Sequence, residues 1–199
     1  MTKFLFQGHA SYRFITDEGK VLYVDPFAGE GYDLAADLIL VTHQHQDHNQ
    51  VQLVTHKNET ITITNENALI NGKYQHFDLG WVKVTAVPAY NEHHNKSECV
   101  GYLLEMDGIK VYCSGDTGLI DEMSDLHDLQ LNYAILNSDD TYTIPYKDVL
   151  EVTKRINAKH NIPAHLAPTN LFSQEAADRW PGLNKLIVHP GEEITLVKD

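Results

Sequence analysis

The sequence predicts an α/β layered domain, and three observations carry that prediction. Short alternating strands crowd the first half, an unbroken apolar run at 37–42 reads as a strand covered on both faces, and the last third alternates strands with helices. Strands at 3–6 and 11–15 flank Gly8-His9. Asp17-Glu18-Gly19 marks a hairpin turn into a strand at 21–24, which stops at Asp25-Pro26. The apolar run 37–42 ends directly on His43, and 49–56 is expected to form a short helix with Val51, Leu53 and Val54 facing inward. Further strands are expected at 60–64, 81–87, 100–106 and 109–113, with Asp107-Gly108 as a type I′ turn between the last two.

A buried strand follows at 133–136. The clearest helix covers 145–158, with Pro145 in its first turn and Val149, Val152 and Ile156 along one stripe. Ser173 caps a second helix that Pro181-Gly182 stops, and 186–188 with 194–197 form an expected closing hairpin around Pro190-Gly191. With no repeat, low-complexity stretch or linker, residues 1–199 are expected to form a single domain.

A net charge of −13 argues against long nucleic acid as a partner, because gripping phosphates needs clustered Lys and Arg, and the longest such cluster is Lys154-Arg155. Two divalent ions would add about four positive charges locally, so a pocket could still accept an anion. Only Cys99 and Cys113 are present, which implies no disulfide framework. The apolar start at Met1 turns polar by Gln7, too early for a signal peptide, and no stretch reaches the roughly 18 apolar residues of a membrane helix. The expectation is a cytoplasmic protein with a small-molecule substrate and no membrane partner. Self-association through exposed sheet or loop surface stays open.

The chemistry concentrates at His43-Gln44-His45-Gln46-Asp47-His48, three imidazoles and a carboxylate in six residues. These are the nitrogen and oxygen donors that Zn²⁺, Mn²⁺ or Fe²⁺ accept. In extended backbone His43 and His45 point the same way, towards one ion; a helix beginning near Asp47 would aim Asp47 and His48 at a second.

This run resembles the metal-binding motif of the metallo-β-lactamase fold hydrolases, and the resemblance extends along nearly the whole chain. Gly8-His9-Ala10-Ser11, Val24-Asp25-Pro26-Phe27, Val87-Pro88-Ala89-Tyr90-Asn91, Ser114-Gly115-Asp116-Thr117, Thr141-Tyr142-Thr143 and Ile162-Pro163-Ala164-His165 are similar to a small branch of metal-dependent hydrolases related to ascorbate-6-phosphate lactonases. The resemblance implies a four-layer αββα sandwich and two divalent ions, Zn²⁺ first, with Mn²⁺ or Fe²⁺ as alternatives. It places His43, His45 and His94 on one ion, Asp47, His48 and His165 on the other, and Asp116 between them. His93 competes with His94, and His160 and His189 compete with His165. Gln44 stands where diiron relatives of the fold carry a Glu, which argues against redox chemistry. Ser138-Asp139-Asp140 stands where members of the branch often have a glycine pair, adding acid near the pocket.

Three further residues are candidates. Asp25 reads as an acceptor orienting a ligand histidine, His9 as a substrate or proton-transfer group, and Tyr142 as a substrate contact, with Asp47 also positioning the attacking hydroxide. His56, His76 and His127 read as surface residues and Cys113 as a buried strand thiol. The expected activity is hydrolysis of a small ester, lactone or phosphorylated substrate by a hydroxide generated between two metal ions. A phosphodiesterase or ribonuclease acting on nucleotides or short RNA is the enzymatic alternative, and a metal-binding module with little catalysis is the alternative of another class.

Overall fold

Side-chain alternation along the strands decides the architecture. The computed structural model describes residues 1–198; Asp199, the last residue of the expected domain, lies outside the described residues. The first strands are β1 (Lys3–Gly8), β2 (Ser11–Ile15), β3 (Val21–Val24), β4 (Ala36–Val41) and β5 (His56–Thr64). After a one-turn helix α1 (Asn65–Ala68) come a small hairpin, β6 (Leu69–Ile70) and β7 (Lys73–Tyr74), and then β8 (His76–Asp78), β9 (Lys83–Pro88), β10 (Val100–Met106) and β11 (Ile109–Cys113). The remainder is β12 (Tyr133–Asn137), α2 (Tyr146–Ile156), β13 (His160–Ala164), α3 (Gln174–Arg179) and β14 (Glu193–Thr195).

These strands build two six-stranded sheets, β14-β1-β2-β3-β4-β5 and β13-β12-β11-β10-β9-β8. Phe4, Phe6, Tyr12, Phe14, Leu22, Val24, Leu38 and Leu40 of the first share one core with Val100, Tyr102, Leu104, Val111, Tyr133 and Ile135 of the second. Full burial of each large apolar side chain there contributes about 1.5–3 kcal/mol. The Tyr102 hydroxyl also bridges the sheets, donating to the Val41 carbonyl at 2.9 Å. The alternate residues Tyr112, Ala134 and Leu136 face outward onto α2, α3 and a 3₁₀ segment, Asp121–Leu129. On the far side Val21, Tyr23 and Ile39 form a smaller cluster with Ile15, Tyr32, Ala36, Val51 and Val54. The layers follow the order αββα, with one helical layer reduced to a 3₁₀ turn, Val51–Leu53, and the loop before β4.

In each sheet an antiparallel half joins a parallel half. The β3-β4 and β4-β5 pairs are parallel, as are β11-β12 and β12-β13. Parallel strands deliver their carboxyl ends to one edge, where a loop from each can converge on a ligand.

Three expected elements differ. The helix at 49–56 is only the turn Val51–Leu53, because the Thr55 N–H donates to the Tyr32 carbonyl and His56 already pairs with Ala36 in the sheet. The closing hairpin does not form. Glu193–Thr195 pairs with β1 in the first sheet, whereas the Leu186 N–H binds the Asn161 carbonyl beside the second, so the two apolar pieces serve different layers. His160, expected at a helix end, opens β13 and stacks on Tyr133 with ring centroids 4.9 Å apart.

Gly115 marks a tight passage next to the centre. It leaves β11 at φ 59°, and a Cβ there would lie 2.6 Å from the Val100 carbonyl oxygen and 3.2 Å from Thr42 Cβ. Gly115→Ala should lower unfolding free energy by about 1–3 kcal/mol. Urea unfolding checks this, and an unchanged midpoint would count against the packing described.

Candidate metal centre

Every residue of the centre sits in a loop at the carboxyl end of a strand. His9 turns between β1 and β2, Asp25 follows β3, the His43–Asp47–His48 group follows β4, His94 lies between β9 and β10, Asp116 follows β11 and His165 follows β13. Three of these hold left-handed backbone: His9 at φ 54°, Asp25 at 45° and His165 at 48°. Such conformations persist only where surrounding bonds over-determine them. The His9 N–H donates to the Leu171 carbonyl at 2.6 Å, the His165 N–H donates to the His9 carbonyl at 2.7 Å, and the two imidazoles pack with centroids 3.7 Å apart.

No helix begins at Asp47; the His43–His48 run closes a single turn instead, with the His48 N–H donating to the His45 carbonyl at 3.0 Å. That turn divides the donors. The ligand atoms of His43, His45 and His94 lie within 4.8 Å of one another, as do those of His9, Asp47, His48 and His165, and those of His43, His48 and Asp116. Asp116 is the focus. Its Oδ2 lies 3.2 Å from His48 Nε2, 3.3 Å from His94 Nε2, 3.7 Å from His165 Nε2 and 3.8 Å from His43 Nε2. Its Oδ1 accepts from Asn137 Nδ2 at 2.7 Å.

Polar neighbours fix the ring orientations. Thr42 Oγ1 donates to Asp25 Oδ2 at 2.7 Å and pairs with His43 Nδ1 at 2.9 Å. Asp25 Oδ2 pairs with His48 Nδ1 at 2.8 Å, and Asn91 Oδ1 with His94 Nδ1 at 3.0 Å. With the proton on Nδ1 in each, the Nε2 lone pairs turn inward, the arrangement in which an imidazole ligates a cation. His48 Nε2 is buried without a hydrogen-bond partner, so the donor set fits a divalent ion.

Charge is distributed unevenly across the rings. Burial, reinforced by His48, drives the His43 pKa down to about 2, leaving that ring neutral. Burial opposes charge on His48 too, but Asp116 and Asp25 overcome it and hold its pKa well above the imidazole range. His165 is raised against burial by Asp116 and Asp47. Burial works against ionised Asp47 and Asp116, yet His165 and His9 beside Asp47, and His48 and His165 beside Asp116, keep both below the usual carboxylate range.

The structure thus brings His9, His43, His45, Asp47, His48, His94, Asp116 and His165 together. It separates the competing histidines, since His93 is exposed while His94 is buried, and His189 is exposed, bonded to Glu192 and Gln174. His56, His76 and His127 are exposed. Tyr142 stands at the rim, 46% exposed, its ring 5.3 Å from that of His93 and its carbonyl accepting from Asn91 Nδ2. Burial pushes both thiols, Cys99 and Cys113, up to about 12, which makes neither a nucleophile. Thr42, Asn91 and Asn137 were not legible as site residues. Only their places, beside His43, three residues before His94 and at the end of β12, hinted at a role.

Residues 3–165 match the beta-lactamase superfamily domain. This chain belongs to the metallo-β-lactamase superfamily. A UPF0173 metal-dependent hydrolase of Ligilactobacillus salivarius is 31% identical, with 89% of this chain and 91% of the relative covered. One from Thermococcus onnurineus is 27% identical over 100% of this chain and 97% of its own length. Among solved structures, a protein of Parabacteroides distasonis described as a metal-dependent hydrolase is 30% identical, with a TM-score of 0.76 over 92% of this chain and 90% of that one. The chain is accordingly a metal-dependent hydrolase with histidine and aspartate groups that could bind metal. Among the described residues no helix is long and apolar enough to cross a membrane.

Without a bound cation such a centre would hold protons. The contribution of charged His48 and His165 to stability is present below about pH 6.5 and is lost as pH rises through their raised values. That of Asp47 and Asp116 is present above about pH 4 and is lost as pH falls through their lowered values. An incoming cation must displace the imidazole protons, so affinity for Zn²⁺ should rise from pH 6 to pH 8 with proton release. Calorimetry in buffers of different ionisation enthalpy measures that release; identical heats in all of them would contradict it.

Proposed function

We propose that the protein hydrolyses a small ester or lactone using two divalent ions, one held by His43, His45 and His94 and the other by Asp47, His48 and His165, with Asp116 between them. The observation that carries this reading is the single oxygen, Asp116 Oδ2, faced by four inward Nε2 atoms from loops of both sheets. Two bound ions would lower the pKa of water to roughly 7 and polarise the electrophilic carbonyl. Zn²⁺ suits the nitrogen-rich set best, and Mn²⁺ or Fe²⁺ also accept it.

The remaining work falls to side chains. Asp47 Oδ2 lies 3.0 Å from His9 Nε2, a contact that supports a proton-transfer role for this imidazole. We assign His9 to protonating the leaving oxygen and Asp47 to positioning the attacking water as well as ligating. Tyr142, exposed beside His93, contacts the departing portion of the substrate. The cleft of about 360 Å³ that opens on His43, His45 and His94 is lined by Gln44, Asn65, Glu66 and Glu98 and by no Lys or Arg. It offers a phosphate group no Lys or Arg, and its four imidazoles stand beside Glu66 and Glu98, which favours an uncharged ester or lactone over a phosphorylated one. Two free buried thiols suit a reducing compartment, so we place the reaction in the cytoplasm.

Asp116→Ala should lower bound metal from two ions per chain and reduce turnover at least 100-fold on whichever ester, lactone or phosphodiester the wild type cleaves. Elemental analysis and an assay panel with added Zn²⁺ or Mn²⁺ measure both; a wild type that binds ions but cleaves nothing would favour a binding module instead. His9→Ala separates the roles of His9. Retention of both ions with a loss in kcat of about 10²–10⁴ marks proton transfer, whereas loss of one ion would make it a ligand.

A further inference from the structure

Among His43, His48, His94 and His165, only the last has an outer ring nitrogen without a hydrogen-bond partner. His165 Nδ1 is buried and unpaired, and so is Asp139 Oδ2. The two atoms face each other at 3.5 Å between side chains that are 3% and 0% exposed. Two buried polar atoms of complementary chemistry, each unpaired alone, are relieved together by a small approach.

The rest of Asp139 shows why its carboxylate is aimed there. Oδ1 accepts from the Thr141, Tyr142 and Thr143 N–H groups and from Thr143 Oγ1, at 2.7–3.1 Å. Those four bonds stop the carboxylate from rotating and leave Oδ2 as the free oxygen. The Ser138 N–H donates to the Ala164 carbonyl at 2.9 Å, which pins the loop beside His165. The neighbouring acid does something else. Asp140 is exposed, and its Oδ1 accepts from the Tyr146 N–H at the start of α2.

We infer that Asp139 is a positioning residue for His165: its Oδ2 accepts the Nδ1–H, which fixes the tautomer whose Nε2 lone pair points at the second ion. This rests on the reading of His165 as a ligand of that ion. It makes Asp139 the counterpart of Asp25 at His48 and Asn91 at His94. A carboxylate behind an imidazole also raises the ring's basicity as a ligand.

Asp139→Asn tests the inference with little disturbance to the loop. The amide oxygen can keep the four Oδ1 bonds, while the amide NH₂ then confronts His165 Nδ1 and demands the opposite tautomer. Zn²⁺ is titrated against a chelator in the full-length wild type and variant, with ions per chain counted, and the His165 ring nitrogens are followed by NMR on ¹⁵N-histidine protein with and without Zn²⁺. The expected result is two ions in the wild type. In the variant the first ion should bind as before and the second about 10–100-fold more weakly. A hydrogen-bonded Nδ1 proton on His165 should be present in the wild type and lost or shifted in the variant. Unchanged affinity for both ions, or a wild-type Nδ1 without a bound proton, would overturn the assignment. A wild type that takes up fewer than two ions would sink the two-ion reading, while the Nδ1 resonance would still decide the role of Asp139. The retained first ion reports that the variant is folded.

Discussion

Buried carboxylates organise this molecule. A charge withdrawn from water must be paired or hydrogen-bonded, and Asp25, Asp116 and Asp139 are all almost inaccessible. Asp25 meets the requirement by accepting from the Thr42 N–H, the Thr42 hydroxyl and His48 Nδ1, which ties the end of β3 to the end of β4 and to the histidine turn. Asp116 takes Asn137 on one oxygen and presents the other to four imidazoles. Satisfying these acids therefore shapes the edge of the sandwich, and a cation is the natural complement to the negative charge left in the middle.

The centre also joins the two sheets. The first supplies His9 and the His43–His48 turn, and the second supplies His94, Asp116 and His165. An ion bound between them adds its binding free energy to a sandwich already held by its apolar interior. The same seam explains the left-handed backbone at His9, Asp25 and His165. Loops from facing sheets must turn sharply to meet, and their mutual hydrogen bonds hold conformations that an isolated turn would relax out of.

Polarity around the centre limits its chemistry. No Lys or Arg lines the adjoining cleft, and the chain as a whole is strongly acidic. Positive charge at the centre would come from the ions, so an electrophile that needs only polarisation suits it better than one that brings its own negative charge.

Most strands and the principal ligand cluster were legible in the sequence, because both are local signals. Val100–Met106 and Ile109–Cys113 are apolar runs punctuated by the turn Asp107-Gly108, and the six residues from His43 to His48 follow an apolar strand without a break. The same local signals misplaced 49–56 and the C-terminal hairpin because partners remote in sequence, Tyr32 and Asn161, claimed those backbone groups. Matching His94, Asp116 and His165 to the cluster needed resemblance, since nothing in their own surroundings says that they meet. Resemblance favoured His94 over His93; tertiary packing buried the one and left the other exposed, brought His9 against Asp47 and assigned Asp25, Asn91 and Asp139 to their histidines. Those choices depend on burial and on hydrogen bonds between strand ends far apart in the chain, and neither exists until the two sheets have packed.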